Sequence, residues 1–129
     1  MDWREARIGA GVNPGWVPVV DRLHAAVLRV EPNVVVDQVK EKFGGLRYYY
    51  TLPKRVLSKD SGWTRDEIDG LVGAAEAECE RTCEVCGDPS EGPNAEGGYW
   101  LHTLCEKHAR VKREVGTPAW KMAQDEGRL

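Results

Sequence analysis

The sequence predicts a single α+β domain made of a helix, a β-hairpin, a second helix and a cysteine-rich segment that ends in a helix. Three observations lead to this fold class. Apolar residues recur at helical spacing in two segments, two β-rich segments flank a pair of glycines, and four cysteines lie in the second half of the chain. We divide the 129 residues into an arm (1–12), an α-β-β-α body (13–82), a cysteine-rich motif (83–114) and a tail (115–129).

The composition excludes several classes of protein. Hydrophobic residues make up 41% of the chain and charged residues 30%, which supports one modest core and argues against disorder. No apolar run approaches the roughly 20 residues that span a bilayer, so we expect no integral membrane protein. The first residues lack the apolar segment of a secretory signal, so we expect a cytoplasmic protein. With a net charge of −3, any binding of nucleic acid must use a local basic patch.

The first helix is predicted from its apolar spacing. Asn13 can cap a helix and Pro14 fits a first helical turn, while Pro32 stops the helix before it. His24, at the edge of the apolar face, is expected to be a packing or surface residue. That face carries residues three and four positions apart: Trp16, Val20, Leu23, Val27 and Val30.

Residues 34–52 are predicted to form a β-hairpin that turns at Gly44-Gly45. In this register Phe43 lies opposite Leu46, and the two faces of the hairpin differ sharply in polarity. The face expected in the core carries Val35, Val39, Phe43, Leu46, Tyr48, Tyr50 and Leu52. The face expected in solvent carries Gln38, Lys40, Lys42, Arg47, Tyr49 and Thr51.

A second helix is predicted after a loop over residues 53–62. Thr64 and Glu67 have the spacing of a capping box, and the helix is expected to run from there to about Thr82. Its apolar stripe consists of Ile68, Leu71, Val72, Ala75 and Cys79. Cys79 continues this stripe, so we interpret it as a core residue and not as a spare ligand.

The remaining cysteines have the spacing of a zinc site. Cys83 and Cys86 form a CxxC pair, and eighteen residues later Cys105 and His108 form a CxxH pair. Two such pairs supply the four thiolate and imidazole ligands that tetrahedral Zn²⁺ prefers, so we expect one structural zinc per chain. Free thiols or a redox pair are the alternatives, although neither export nor a βαβ context supports them.

The rest of the chain completes the motif. Residues 88–98 are rich in turn-forming residues, and residues 99–104 suit a short strand. A helix is expected from near Cys105 to about Gly116. At the two ends of the chain, the arm is expected to dock through Trp3, and the tail through Trp120 and Met122.

Two resemblances cover parts of the sequence. Residues 82–114 are predicted to contain a tight turn with the CxxC pair (the knuckle), then a loop, a strand and a helix that carries ligands in its first turn. This order resembles a treble clef, a zinc motif shared by many unrelated functions. The blocks GWVPVVDRL, QVKEKFGGLRYYY, AEAECERTCEVCG and GGYWLHTLCEKHA resemble a family of small bacteriophage and bacterial proteins. That resemblance implies a phage or bacterial origin and supports the same four ligands, but it carries no established activity.

The sequence is compatible with three functions. The first is a small zinc-stabilised regulatory protein, phage-encoded, that contacts a host or phage protein. Five tryptophans favour it, because Trp is enriched at interfaces. Trp16, Trp63 and Trp100 can instead be core residues, which makes Trp120 the better interface candidate.

The alternative is a nucleic-acid-binding accessory protein, because basic side chains beside an aromatic ring suit phosphates and bases. An enzyme is the third class. His102 suggests a treble-clef nuclease, but Cys105 and His108 already occupy the start of the helix, and no small-molecule substrate is evident. We therefore expect no enzyme. The candidate binding face consists of Lys40, Lys42, Arg47, Tyr49, Arg110, Lys112 and Arg113.

Overall fold

A computed structural model describes residues 1–54, 61–94 and 101–129 and confirms the α+β class. The helices of the described residues are α1 (Val17–Val30), α2 (Ser61–Cys79), α3 (Glu106–Val115) and α4 (Ala119–Asp125). The strands are β1 (Gly9–Gly11), β2 (Val35–Lys42), β3 (Gly45–Thr51), β4 (Pro93–Asn94) and β5 (His102–Thr103). No helix among the described residues is both long and apolar enough to cross a membrane.

The N-terminal arm docks on α1, as the sequence predicts for Trp3. The Trp3 ring is buried, and its Nε1 donates a hydrogen bond of 2.8 Å to Asp21. His24 is buried as well, with one ring nitrogen 2.8 Å from the Tyr48 hydroxyl and the other 2.7 Å from the Met1 carbonyl. Its role is therefore in packing.

Strand β1 has no counterpart in the sequence analysis. It pairs in parallel with β2, which places β2 at the centre of a three-stranded sheet. Its sequence, Gly-Ala-Gly, has neither the β-branched residues nor the alternation that would indicate a strand.

Helix α1 begins after a short 3-10 turn (Pro14–Trp16) and ends before Pro32, close to the predicted bounds. Trp16, Val20, Leu23 and Val27 are buried. The predicted cap is wrong, because the Asn13 side chain makes no capping bond. It donates instead to Glu84 at 3.2 Å.

The hairpin is confirmed, but its turn lies one residue earlier than predicted, which shifts the pairing register by two residues. Phe43 and Gly44 form the turn with φ of 55° and 78°, and Lys42 pairs with Gly45. Positive φ at both central residues is characteristic of a type I′ turn. Gly44 is suited to this position because a Cβ there would lie 2.9 Å from the Cβ of Pro93.

A shift of two residues preserves the alternation, so the faces of the hairpin are largely as predicted. Tyr48 is buried, Tyr50 half-buried and Tyr49 exposed. Two residues predicted in the core are exposed. Phe43 lies in the turn, and Val35 precedes a bulge between Val36 and Gln38 that turns Val36 inward instead.

Helix α2 buries the predicted stripe, with Leu71 only partly covered. The capping box is wrong, because Thr64 lies within the helix, and the helix ends at Cys79 instead of about Thr82. Cys79 is fully buried in the core under the sheet, which confirms its interpretation as a core residue. Most of the predicted loop 53–62 and the start of the predicted strand 99–104 lie outside the described residues.

A second, smaller core lies among the cysteine-rich segment, α3 and α4. Helix α3 ends at Gly116 in the left-handed conformation, as predicted. The tail forms α4, which the sequence analysis did not predict, and Met122 on it is buried.

Candidate metal centre

Four side chains predicted as ligands converge at one point in the structure. Each of Cys83, Cys86, Cys105 and His108 offers one ligand atom, and these atoms all lie within 4.8 Å of one another. The Cys83 Sγ lies 3.5 Å and the Cys105 Sγ 3.2 Å from His108 Nδ1, while Cys86 Sγ and Cys105 Sγ are 3.8 Å apart. This cluster could hold a metal ion.

The first two ligands are positioned by a tight turn. The Gly87 N–H donates to the Cys83 carbonyl at 2.9 Å, and the Asp88 N–H lies 3.5 Å from Cys86 Sγ. Gly87 has a φ of 83°, a conformation that side chains with a Cβ rarely adopt. The sharp turn at Gly87 brings both thiols of the CxxC pair to the same side.

The other two ligands are positioned by the start of a helix. Cys105 is the N-cap residue of α3, in an extended conformation, and His108 lies in the first helical turn. Residues three positions apart on a helix face the same side, so the Cys105 thiol and the His108 ring meet. Cys79 is not part of this cluster.

His108 is oriented by the tail. Its Nδ1 faces the thiols, and its Nε2 lies 2.7 Å from Glu126 Oε1, just beyond α4. Arg128 donates to the other oxygen of the same carboxylate at 3.0 Å. The sequence analysis missed Glu126, although a carboxylate on the free nitrogen of a ligating imidazole is a common arrangement around metal ions.

Replacing Glu126 by glutamine is expected to weaken metal binding by about 10–100-fold, because loss of such a partner lowers ligand basicity and frees the ring. The measurement is competition for zinc against a chromophoric chelator. Glu114→Gln, an exposed carboxylate on α3, is the matched control and should leave the affinity unchanged. Equal affinities for the wild type and Glu126→Gln would contradict the role assigned to Glu126.

Burial acts on two thiols of the cluster. Burial raises the pKa of the Cys83 thiol and raises that of Cys86 to about 12. A metal ion bound here would therefore displace thiol protons.

A second polar group lies beside the cysteine cluster. The Glu84 carboxylate is fully buried and accepts the Thr103 N–H at 2.7 Å, and His102 Nδ1 lies 3.2 Å from the same oxygen. Glu41, on the inner face of β2, completes a group whose ligand atoms lie within 4.8 Å of one another. The sequence analysis considered His102 alone and missed both glutamates.

The predicted binding face is only partly assembled. Lys40 pairs with Arg47 and Gln38 with Tyr49, so these side chains share the outer face of the sheet with Lys42. We call Lys40, Lys42, Arg47 and Tyr49 the basic face.

Helix α3 does not extend the basic face in the way that was predicted. Lys112 is buried, and its charge partly offsets the rise that burial causes in the pKa of Glu41, on the inner side of the sheet. Its predicted role as a surface contact is therefore wrong. Arg110 is exposed and lies 3.7 Å from Glu106, and Arg113 is exposed as well.

The tryptophans differ in their exposure. Trp16 is fully buried and its Nε1 donates to the Thr82 carbonyl at 2.8 Å, which confirms it as a core residue. Trp63 is 85% exposed, so its interpretation as a core residue is wrong. Trp120 is 54% exposed, and Trp100 lies outside the described residues.

Comparison of the chain with protein families, with curated proteins and with solved structures finds no match.

Proposed function

We propose that the cysteine cluster holds one structural zinc ion. With Zn–S of about 2.3 Å and Zn–N of about 2.0–2.1 Å, tetrahedral ligands lie about 3.8 Å apart for two sulfurs and about 3.5 Å for sulfur and nitrogen. The separations of 3.8, 3.5 and 3.2 Å fit those values. Four protein ligands leave no open position, which favours a structural role over a catalytic one.

The treble-clef interpretation is part of the same proposal. The knuckle at Cys83, the paired strands β4 and β5, and α3 with a ligand in its first turn follow one another in the order of that motif. This order supports the proposal, which concerns the architecture of residues 82–114 and not their activity.

We further propose that the protein acts by binding another protein, a host or phage factor in a bacterial cell. The observation that carries this proposal is the position of Trp120 on α4. Its neighbours Ala119, Met122 and Ala123 are buried, yet Trp120 itself is 54% exposed. The helix therefore holds a large apolar ring at the surface in a fixed position, as interface anchors require.

The groove beside Trp120 indicates the chemistry of the partner. It is lined by Lys40 of the basic face and by Glu41, Asn13 and His102. A protein surface that receives an indole ring and offers polar groups of both charges around it would match this lining.

Replacing Trp120 by alanine is expected to weaken partner binding by at least about 30-fold, because Trp anchors contribute about 2 kcal/mol or more. The measurement is capture of partners from bacterial lysate by the tagged full chain, with and without nuclease, followed by titration of the captured protein. Trp63→Ala, an equally drastic change on α2, is the matched control. Capture that survives Trp120→Ala but not Trp63→Ala would contradict the proposal.

Nucleic acid binding is the second candidate, and one observation favours it. Among the residues that the structure describes, Lys40, Lys42 and Arg47 form no ion pair; Lys42 is exposed, and Lys40 and Arg47 are half-buried. Lys42 lies over the exposed ring of Phe43 at 5.5 Å, and Tyr49 is 47% exposed. Cations next to accessible rings are the combination that single-stranded nucleic acids bind.

If nucleic acid binds there, replacing Lys40, Lys42 and Arg47 together by glutamate is expected to abolish it. Each change should cost no more than about 0.5 kcal/mol of stability, since all three side chains lie on the outer face of the sheet and outside the core. If each of these three side chains neutralises one phosphate in the wild type, the logarithm of the wild-type affinity should fall with the logarithm of the salt concentration, with a slope of about −2 to −3. The measurement is fluorescence anisotropy with labelled single- and double-stranded DNA and RNA.

The matched control makes the same change of charge elsewhere. Arg29, Arg65 and Arg81 are exposed, and their joint replacement by glutamate should leave specific binding by the basic face intact. Absence of binding to all four nucleic acids at low salt would remove this candidate and leave protein binding. Binding of nucleic acid that falls steeply with salt and is unchanged by Trp120→Ala would favour the nucleic acid candidate instead.

A further inference from the structure

Three metal-ligating side chains lie together outside the cysteine cluster. They come from strand β2 (Glu41), the knuckle (Glu84) and strand β5 (His102), and one ligand atom of each lies within 4.8 Å of the others. These residues are separated by 43 and 18 positions in the sequence, so only the tertiary fold brings them together.

Glu84 is held in a fixed orientation. Its side chain has no exposed surface, and its oxygens accept the Thr103 N–H at 2.7 Å and the Asn13 side-chain amide at 3.2 Å. These donors leave both oxygens directed at His102, whose Nδ1 lies 3.2 Å from one and 3.3 Å from the other.

The contact between His102 and Glu84 is longer than the one between His108 and Glu126, and it involves both carboxylate oxygens. His108 and Glu126 lie 2.7 Å apart, which is typical of a charge-assisted hydrogen bond to one oxygen. His102 is about equally far from both oxygens of Glu84, and half an ångström farther away. For metal–ligand distances of about 2.1 Å, neighbouring ligand atoms lie about 3.0 Å apart in an octahedron and about 3.4 Å in a tetrahedron.

Glu41 adds a second carboxylate to the same point. One of its oxygens accepts the Gly44 N–H at 2.8 Å. Burial raises the pKa of Glu41, the Gly44 N–H opposes that rise, and the charge of Glu84 adds to it. The charges of His102 and Lys112 offset part of the repulsion between the two carboxylates, and a divalent cation between them would complete that compensation.

Two of the three side chains reach solvent. Glu41 and His102 line a cavity beside the hairpin turn, together with Lys42, Phe43 and Leu101. They also line the groove that contains Lys40 and Trp120. An ion could approach past these two side chains, while Glu84 forms the buried end of the site.

We propose that Glu41, Glu84 and His102 form a second metal site, which binds a divalent ion that accepts mixed oxygen and nitrogen ligands, such as Mn²⁺ or Zn²⁺. The site is chemically distinct from the thiolate cluster, whose soft ligands do not favour Mn²⁺. An ion there would connect the hairpin to the knuckle and β5.

The test is a titration of the full chain, already loaded with one zinc, with Mn²⁺ and separately with additional Zn²⁺. Free Mn²⁺ is followed by electron paramagnetic resonance, and bound zinc by native mass spectrometry. We expect one further ion per chain for at least one of the two metals, with the first zinc retained. We also expect the thermal midpoint to rise as this ion is added.

Two variants locate the ion. Glu41→Gln keeps an oxygen for the Gly44 N–H, and His102→Asn keeps a polar group near the Nδ1 position, so both should fold. Each is expected to weaken binding of the second ion at least tenfold and to abolish the rise in thermal midpoint. Glu5→Gln removes an exposed carboxylate elsewhere and should change neither the affinity for the second ion nor the rise in thermal midpoint. Binding of no second ion by the wild type, or unchanged binding in both variants, would overturn the proposal.

Discussion

Replacement of Cys105 by serine is expected to abolish metal binding and to unfold the second half of the chain. Among the described residues, the core there consists mainly of small side chains, with Leu104 and Met122 the largest apolar ones, so their packing alone contributes little. Structural zinc sites supply apparent binding free energies of about 10–16 kcal/mol at neutral pH, and this energy stabilises the fold. The measurements are zinc content per chain and thermal unfolding followed by circular dichroism, with the wild type treated with a chelator as the reference.

Cys79 provides the matched control for this experiment. It is also a buried cysteine, but it lies in the core under the sheet and not at the metal cluster. Cys79→Ala is expected to retain the zinc and to lose only about 1 kcal/mol of stability. If Cys79→Ala releases the metal while His108→Ala keeps it, the assignment of ligands is wrong.

Replacement of Gly15 by alanine is expected to destabilise the protein by about 3 kcal/mol, because the backbone of the knuckle leaves no room for a methyl group. A Cβ at Gly15 would lie 2.0 Å from the Cys83 carbonyl oxygen and 2.7 Å from that of Glu84. The Gly15 N–H also donates to the Glu84 carbonyl at 2.7 Å, and the displacement would break this bond. The measurement is the free energy of unfolding in urea, with the zinc affinity determined in parallel.

A glycine-to-alanine substitution in helix α2 should change the free energy of unfolding in the opposite direction. Gly73 lies within the helix, and a Cβ there would meet nothing within 4 Å. Gly73→Ala is therefore expected to stabilise the protein by up to about 1 kcal/mol, since alanine favours the helix more than glycine does. Similar effects for the two substitutions would show that the approach of Gly15 to the knuckle is looser than the structure indicates.

The sequence was most informative where local spacing determines structure. Helices α1 and α2 each bury one face, so their stripes could be identified from apolar periodicity. Cys83, Cys86, Cys105 and His108 lie in two local pairs, and the geometry of a turn and a first helical turn allowed the ligand set to be predicted.

The sequence was least informative where contacts distant along the chain decide the outcome. Two adjacent glycines indicated a turn at Gly44-Gly45, but Gly44 is packed against Pro93 and accepts a hydrogen bond from Thr103, which fixes the turn one residue earlier. Asn13 was expected to cap a helix and bonds to Glu84 instead. Glu126 and Glu84 gave no signal in the sequence because an isolated glutamate is usually a solvated surface residue.

The bond between Glu126 and His108 has a thermodynamic consequence for the tail. Since the tail stabilises the ligating ring, an occupied metal centre must stabilise the docked tail by the same free energy, because such coupling is reciprocal. Loss of the ion would then weaken the docking of α4 by that free energy. Conversely, a binding partner that holds the docked helix in place would raise the affinity for the metal, so the metal affinity would report on engagement of the tail.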